Sequence, residues 1–321
     1  MGFFGVIVDG VQKLPENQRP PLLIWLRWVG KVVQNEAQYA AQQKASTELA
    51  WMFHDNGIRA YVLKGSIVAE CYPKPSCRLS ADFDCFLVNE NQNENENDVW
   101  EIGNQVIENA GFEVKRNFYK NSTVFLPELM VENHRYMVPF RGNKRLKSLE
   151  RLLQQLINDN ENRFDRTWLY RPPVMVSALF LIEHAYSHFL HEGLNWRYVL
   201  DWVMFSRKHK ADIDWPVFDA LVDEYGFRKF YDSYFKLGKY LLGELAESEL
   251  TDFNKKMLAD IWAEKKKHKP DSGLKGKMGL AANTWNARWK YHDFSPISMQ
   301  HALWIQTKGY LFDRAEVELK V

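Results

Sequence analysis

Between residues 63 and 88 the chain reads LKGSIVAECYPKPSCRLSADFDCFLV, and four side chains in it carry the chemistry: Lys64, Ser66, Asp82 and Asp84. In a strand, alternate residues face the same side, so Asp82 and Asp84 share a face while Phe83 and Cys85 share the other. Two carboxylates on one face repel unless a cation lies between them. Mg²⁺ suits that role, because it takes hard oxygen ligands and shares them with substrate phosphates. Upstream, Gly65 lacks the Cβ that would obstruct a phosphate, and Ser66 can open a helix whose free N–H groups favour an anion. Lys64 adds a mobile positive charge. A phosphate-cradling turn followed by a carboxylate pair is what phosphoryl or nucleotidyl transfer requires, with two metal ions about 3.5 to 4 Å apart.

The elements that must hold these groups follow from periodicity. From Pro20 and Pro21 to Asn56, before Gly57, apolar residues recur at helical steps, which predicts one or two helices. RAYVLKG predicts a strand, SIVAECY one or two helical turns, and ADFDCFLV a second strand. The polar run NENQNENEND (89–98) predicts a solvated loop, and VWEIGNQVIENAG (99–111) a helix stopping at a glycine. FEVKRNFYK and TVFLPELMVENHRYMVPF predict further strands. Beyond about residue 143 the strand signal ends and every segment carries helical spacing, often with Pro near its start. The expected fold class is therefore α+β, a small mixed β-sheet core with flanking helices followed by an all-helical domain. The expected domains are a helical lead at 1–57, the core at 58–143 and the helical domain at 144–321.

Those strings also carry a resemblance. Gly65-Ser66 followed by Asp82-Phe83-Asp84 resembles the signature of the DNA-polymerase-β-like nucleotidyltransferase superfamily. The order Lys64-Gly65, Tyr72-Pro73, Pro75, Arg78, Asp82 and Asp84 looks more specifically like the family of uncharacterised bacterial nucleotidyltransferases. Its motifs cover about residues 63 to 136. The resemblance implies a nucleotidyltransferase core and a third carboxylate on a neighbouring strand. It also implies an acid followed two residues later by His, matched by Glu132 and His134, with Asn133 where an apolar residue is expected. Glu128, of the same parity, competes with Glu132 but follows Pro127, which suggests a strand start or turn. Fifteen residues separate Ser66 from Asp82, more than the superfamily's usual gap, and the Tyr-Pro-x-Pro-x-x-Arg insert accounts for the excess.

The implied reaction moves a nucleoside monophosphate from an NTP, ATP included, to an acceptor hydroxyl. Asp82, Asp84 and Glu132 would be catalytic and bind two Mg²⁺ ions; Lys64, Gly65 and Ser66 would hold the phosphates. Arg78 either contacts the triphosphate, organises the carboxylates, or is a surface arginine after a Pro-rich turn. His134, with His184 and His188 at i, i+4 in EHAYSHFLHEG, would line an acceptor cleft; the last two either face that cleft or satisfy core hydrogen bonds, and Ala185 stands where a zinc-protease helix has its glutamate.

Composition bounds the alternatives. Across 321 residues the formal charge is +1, so no chain-wide field points to nucleic acid or to an anionic membrane. The segment 254–277 holds eight lysines against three acids and can attract RNA, or is a solvated helix end. It motivates an alternative, a toxin–antitoxin-like transferase acting on tRNA or protein. An alternative of another class is a nucleotide-binding or interaction protein without turnover. Three cysteines, no membrane-length apolar run and no signal-peptide pattern in MGFFGVIVDG lead to the expectation of a soluble, cytoplasmic protein.

Overall fold

The computed structural model describes residues 4–90, 98–117, 120–138, 140, 143–158, 162–164, 166–263, 285 and 287–304. It divides into two compact units, Met1–Met137 with Leu153–Ser177, and Val138–Leu152 with Ala178–Val321.

The first unit is built on a six-stranded mixed sheet in the order β3-β4-β5-β2-β1-β6. Its strands are β1 (Ile58–Val62), β2 (Phe83–Asn89), β3 (Val114–Asn117), β4 (Asn121–Phe125), β5 (Met130–His134) and β6 (Leu169–Tyr170). The pairs β2–β5 and β1–β6 are parallel and the others antiparallel. Helices α1 (Phe4–Gln12), α2 (Leu22–His54), α3 (Ser66–Ala69) and α4 (Val99–Asn109) precede or interleave the first five strands.

Alternation sorts the two faces of β2. Phe83, Cys85 and Leu87 join Val62 of β1 and Val131 of β5 in one apolar cluster, which Leu49 and Phe53 of α2 and Ile107 of α4 complete. Full burial of a phenylalanine such as Phe53 contributes about 1.5 to 3 kcal/mol. Gly103 lets α4 approach closely, since a Cβ there would stand 2.1 Å from Leu87 Cδ1. The even residues of β2 lie on the opposite face, and there Asp84 and Phe86 are nevertheless buried.

Two particulars differ from the periodicity reading. Asp82 lies in the bend just before β2 rather than within the strand. A sixth strand exists beyond residue 143, where only helices were expected: β6 is two residues long, too short for any alternation to register, and it lies parallel to β1 through the pairs Ala60–Leu169 and Tyr61–Tyr170.

The second unit is helical. It holds α7 (Trp196–Lys208), α8 (Trp215–Glu224), α9 (Arg228–Leu241), α10 (Asp252–Trp262) and α11 (Arg288–Phe294), while α5 (Lys144–Asn158) and α6 (Val174–His191) each have residues in both units. Asn195, Asp214 and Thr251 accept hydrogen bonds from the first-turn amides of α7, α8 and α10, which sets where those helices start. Its core is aromatic: Trp202 stacks on Phe218 with ring centroids 5.6 Å apart, and Phe230 on Tyr234 at 5.1 Å. Among the described residues no helix is long and apolar enough to cross a membrane.

Candidate functional site

The pairing of β2 with β5 brings the acids together. Asp84 stands directly opposite Glu132 in parallel register, and Phe86 opposite His134. Glu132 and His134, two residues apart, share a strand face. His134 Nε2 reaches back to 3.0 Å from Asp84 Oδ1 and 3.6 Å from Glu132 Oε2. One ligand atom each from Asp84, Glu132 and His134 lies within 4.8 Å of the others, and Asp82 is outside that group. Glu128 does not approach it in register: it is exposed, in the turn between β4 and β5.

Lys64, just past the end of β1, connects the remaining acid. Its Nζ lies 3.4 Å from Asp82 Oδ2 and 3.2 Å from Asp84 Oδ2. The backbone bond from Leu63 N to Asp84 O, 3.0 Å, ties the end of β1 to that point of β2 and so aims the lysine. Asp84 is 0% exposed, His134 2% and Lys64 8%. Three ionisable groups this deep stay charged only by pairing.

Their protonation follows from that contest. Burial works to raise the Asp84 pKa, but the Lys64 charge and the His134 hydrogen bond outweigh it and hold the carboxyl below the ordinary carboxylate range. Burial works to lower His134, and its hydrogen bond to Asp84 together with the nearby Glu132 carboxylate overcomes it, so the imidazole pKa is raised. The His134 imidazole beside it in turn draws Glu132 down, against its burial and the neighbouring Asp84 charge.

The turn lies beside this cluster. Gly65 precedes α3 with φ +75° and ψ −102°, a backbone that side-chain-bearing residues rarely adopt. A Cβ on Gly65 would stand 3.3 Å from Ser80 Oγ. Ser80 links the parts: its hydroxyl accepts from Arg78 Nη1 at 3.1 Å and donates to the Asp82 backbone oxygen at 2.7 Å. Arg78 is buried, not a surface arginine.

Spacing gave no sign of two further participants, both from α2. Gln43 Nε2 donates to Ser66 Oγ and Gln42 Nε2 to the Ser80 backbone oxygen, each at 3.0 Å. With Tyr39 and Ser46 they form one wall of a small cleft whose other walls include Gly65, Ser66, Arg78, Ser80 and Asp82. A signal existed in retrospect, since Gln42 and Ser46 are polar residues on the buried stripe of a helix.

Asn133, where an apolar residue was expected, is fully buried. Its Nδ2 donates to Asn104 Oδ1 of α4 at 3.0 Å, Ser122 Oγ donates to the same oxygen at 2.5 Å, and Trp100 Nε1 donates to the Asn133 backbone oxygen at 2.8 Å. A polar cluster therefore joins α4 to β4 and β5 behind the acids.

His184 and His188 lie on α6 in the second unit. Their rings meet edge to face at 4.5 Å, both contact the Tyr198 ring, and His188 Nδ1 pairs with Glu192 Oε2 at 3.0 Å. Of the lysine-rich segment 254–277, residues 264–277 lie outside the described residues.

The chain matches the family described as uncharacterised nucleotidyltransferase over residues 2–243. It belongs to that family. No curated protein and no solved structure matches it. Membership makes the chain a nucleotidyltransferase, an enzyme of group transfer, and the matched span contains every strand of the sheet. The site also fits a divalent cation on its own chemistry. Among the described residues Asp84 Oδ2 is buried without a hydrogen bond, beside the Lys64 ammonium at 3.2 Å, and two carboxylates and an imidazole converge there.

Proposed function

We propose that this nucleotidyltransferase moves a nucleoside monophosphate from an NTP to an acceptor hydroxyl in a divalent-metal-dependent reaction, with release of pyrophosphate. The observation that carries the reading is the direct cross-strand pair of Asp84 with Glu132, one strand away from the Gly65–Ser66 turn. In this reading Asp82, Asp84 and Glu132 hold Mg²⁺, whose bound ions supply charge neutralisation of the triphosphate and Lewis-acid activation of the reacting oxygens.

The chain's own groups have separable roles. Backbone N–H groups of the Gly65–Ser66 turn bind the β and γ phosphates, and Gly65 leaves room for their oxygens. Ser66 accepts a hydrogen bond from Gln43, which leaves its own O–H to donate to a phosphate oxygen. Lys64 offsets the charge of the acids and turns to the triphosphate when they are otherwise neutralised. Arg78, fixed through Ser80, adds a positive charge beside the turn. Glu132, kept ionised, accepts the proton of the attacking hydroxyl.

The test is incubation with α-labelled NTPs and Mg²⁺ against small hydroxylated acceptors, RNA and protein, following label transfer and pyrophosphate. Transfer that disappears in the Asp82→Ala, Asp84→Ala double variant is the expected result; transfer unchanged in that variant overturns the assignment. The RNA and protein arms separate a toxin–antitoxin-like acceptor from a small molecule.

A further inference from the structure

His134 has a part that three carboxylates and a phosphate turn leave over. It is 2% exposed, on the face that carries Asp84 and Glu132, and one ring nitrogen, Nε2, faces both acids at 3.0 and 3.6 Å. A single N–H can serve one acceptor well, not two. The spacing is also that of neighbouring ligands: donor atoms about 2.1 Å from an octahedral ion stand roughly 3.0 Å apart when adjacent. Independently, the fully buried Asp84 keeps its second oxygen, Oδ2, without a hydrogen bond among the described residues, and the charge beside it is the Lys64 ammonium at 3.2 Å.

We propose that the divalent-ion site of this chain is a mixed nitrogen–oxygen site, formed by Asp84 and Glu132 with Nε2 of His134, and that it takes a first-row transition ion in preference to Mg²⁺. The inference rests on the reading that the cleft holds a divalent ion for nucleotidyl transfer, and it sharpens which ion. Magnesium favours an all-oxygen shell and keeps its waters, whereas imidazole is a ligand of transition ions. Placing nitrogen beside two carboxylates moves the preference toward Mn²⁺ and the ions that follow it in the affinity order. His134 is then a ligand in its own right, and Asp82, partly buried and paired with Lys64, stands beside the site.

The experiment uses the full chain with Mn²⁺ and a non-hydrolysable NTP. Pulsed electron paramagnetic resonance on bound Mn²⁺ reads directly coordinated nitrogen, and calorimetry reads Mn²⁺ and Mg²⁺ affinity. Expected are imidazole ¹⁴N modulation in the wild type, its change on labelling with ¹⁵N-histidine, and its loss in His134→Gln. The same substitution should lower Mn²⁺ affinity about tenfold or more while Mg²⁺ affinity changes much less. Because the wild-type spectrum needs no variant, a His134→Gln protein that fails to fold does not remove the test. Absence of histidine modulation in the wild type, equal loss of both ions in His134→Gln, or no Mn²⁺ binding overturns the proposal. Label transfer with Mg²⁺, scored separately, survives that outcome if only the nitrogen assignment is wrong.

Discussion

Replacing Lys64 by Met isolates the electrostatics of the site. The substitution keeps the length of the stem and removes the positive charge that lies 3.2 Å from Asp84 Oδ2, in a place where Asp84 has no exposure. Removing one partner of a buried pair costs about 3 to 5 kcal/mol, and the lower end applies because His134 still hydrogen-bonds the carboxylate. About 3 kcal/mol corresponds to a fall of roughly 6 to 12 °C in Tm for a unit of this size. The pH dependence carries the sign. Asp84 is depressed in the folded protein, so its contribution is present above its unfolded value near pH 4 and is lost as pH falls through the folded value. Without Lys64 the burial that Lys64 opposed prevails, the carboxyl pKa rises, and the gap between wild type and variant narrows below about pH 4. Urea unfolding, with hydrogen exchange of the β1 and β2 peptides, measures it across pH in chelator. Lys64→Met with Asp84→Asn should recover more than half of the loss, since a neutral pair leaves no uncompensated charge. A loss under about 1 kcal/mol, or no recovery in the double variant, refutes the claim that Lys64 is what keeps Asp84 ionised.

Three other outcomes follow from particular contacts. His134 is raised in the folded state, so in chelator its stabilisation is complete below about pH 6.5 and declines as pH rises through the folded value; His134→Gln should flatten that decline in pH-dependent unfolding, and an unchanged profile contradicts it. Gly65→Ala forces a Cβ into φ +75° and to 3.3 Å from Ser80 Oγ, so a loss of about 1 to 3 kcal/mol together with weakened NTP binding by calorimetry is expected, and intact binding argues against the turn as a phosphate site. Asn133→Ala should cost about 2 kcal/mol, and the double variant with Asn104→Ala less than the sum of the two, because they share one hydrogen bond; additivity in thermal unfolding says the polar cluster is not cooperative.

Much of the site was legible because its members are local. Lys64, Gly65, Ser66, Asp82 and Asp84 fall within 21 residues, and the two-residue step of a strand already says which side chains share a face. The acid and histidine at 132 and 134 were legible through a resemblance, and the register of β2 on β5 supplies what periodicity lacks, the position of Glu132 directly opposite Asp84. What stayed hidden depends on distant partners. Asn133 reads as a misfit in a strand until Asn104 and Ser122, contributed by α4 and β4, satisfy it. Gln42 and Gln43 look like ordinary polar helix residues, and only the packing of α2 beside α3 turns them toward Ser80 and Ser66. The strand β6 has two residues and no pattern to read. The bend before β2 likewise sets Asp82 apart from Asp84, a difference that the shared alternation of the two positions conceals.

The central claim is that the acids of β2 and β5 and the Gly65–Ser66 turn form one nucleotide and metal site. A crystal structure with a non-hydrolysable NTP and Mn²⁺, the ion located by anomalous scattering, tests it most directly. The account predicts the ion in contact with Asp84 and Glu132 and the terminal phosphates on the amides of the Gly65–Ser66 turn. A nucleotide bound elsewhere, or an ion that touches neither carboxylate, contradicts it.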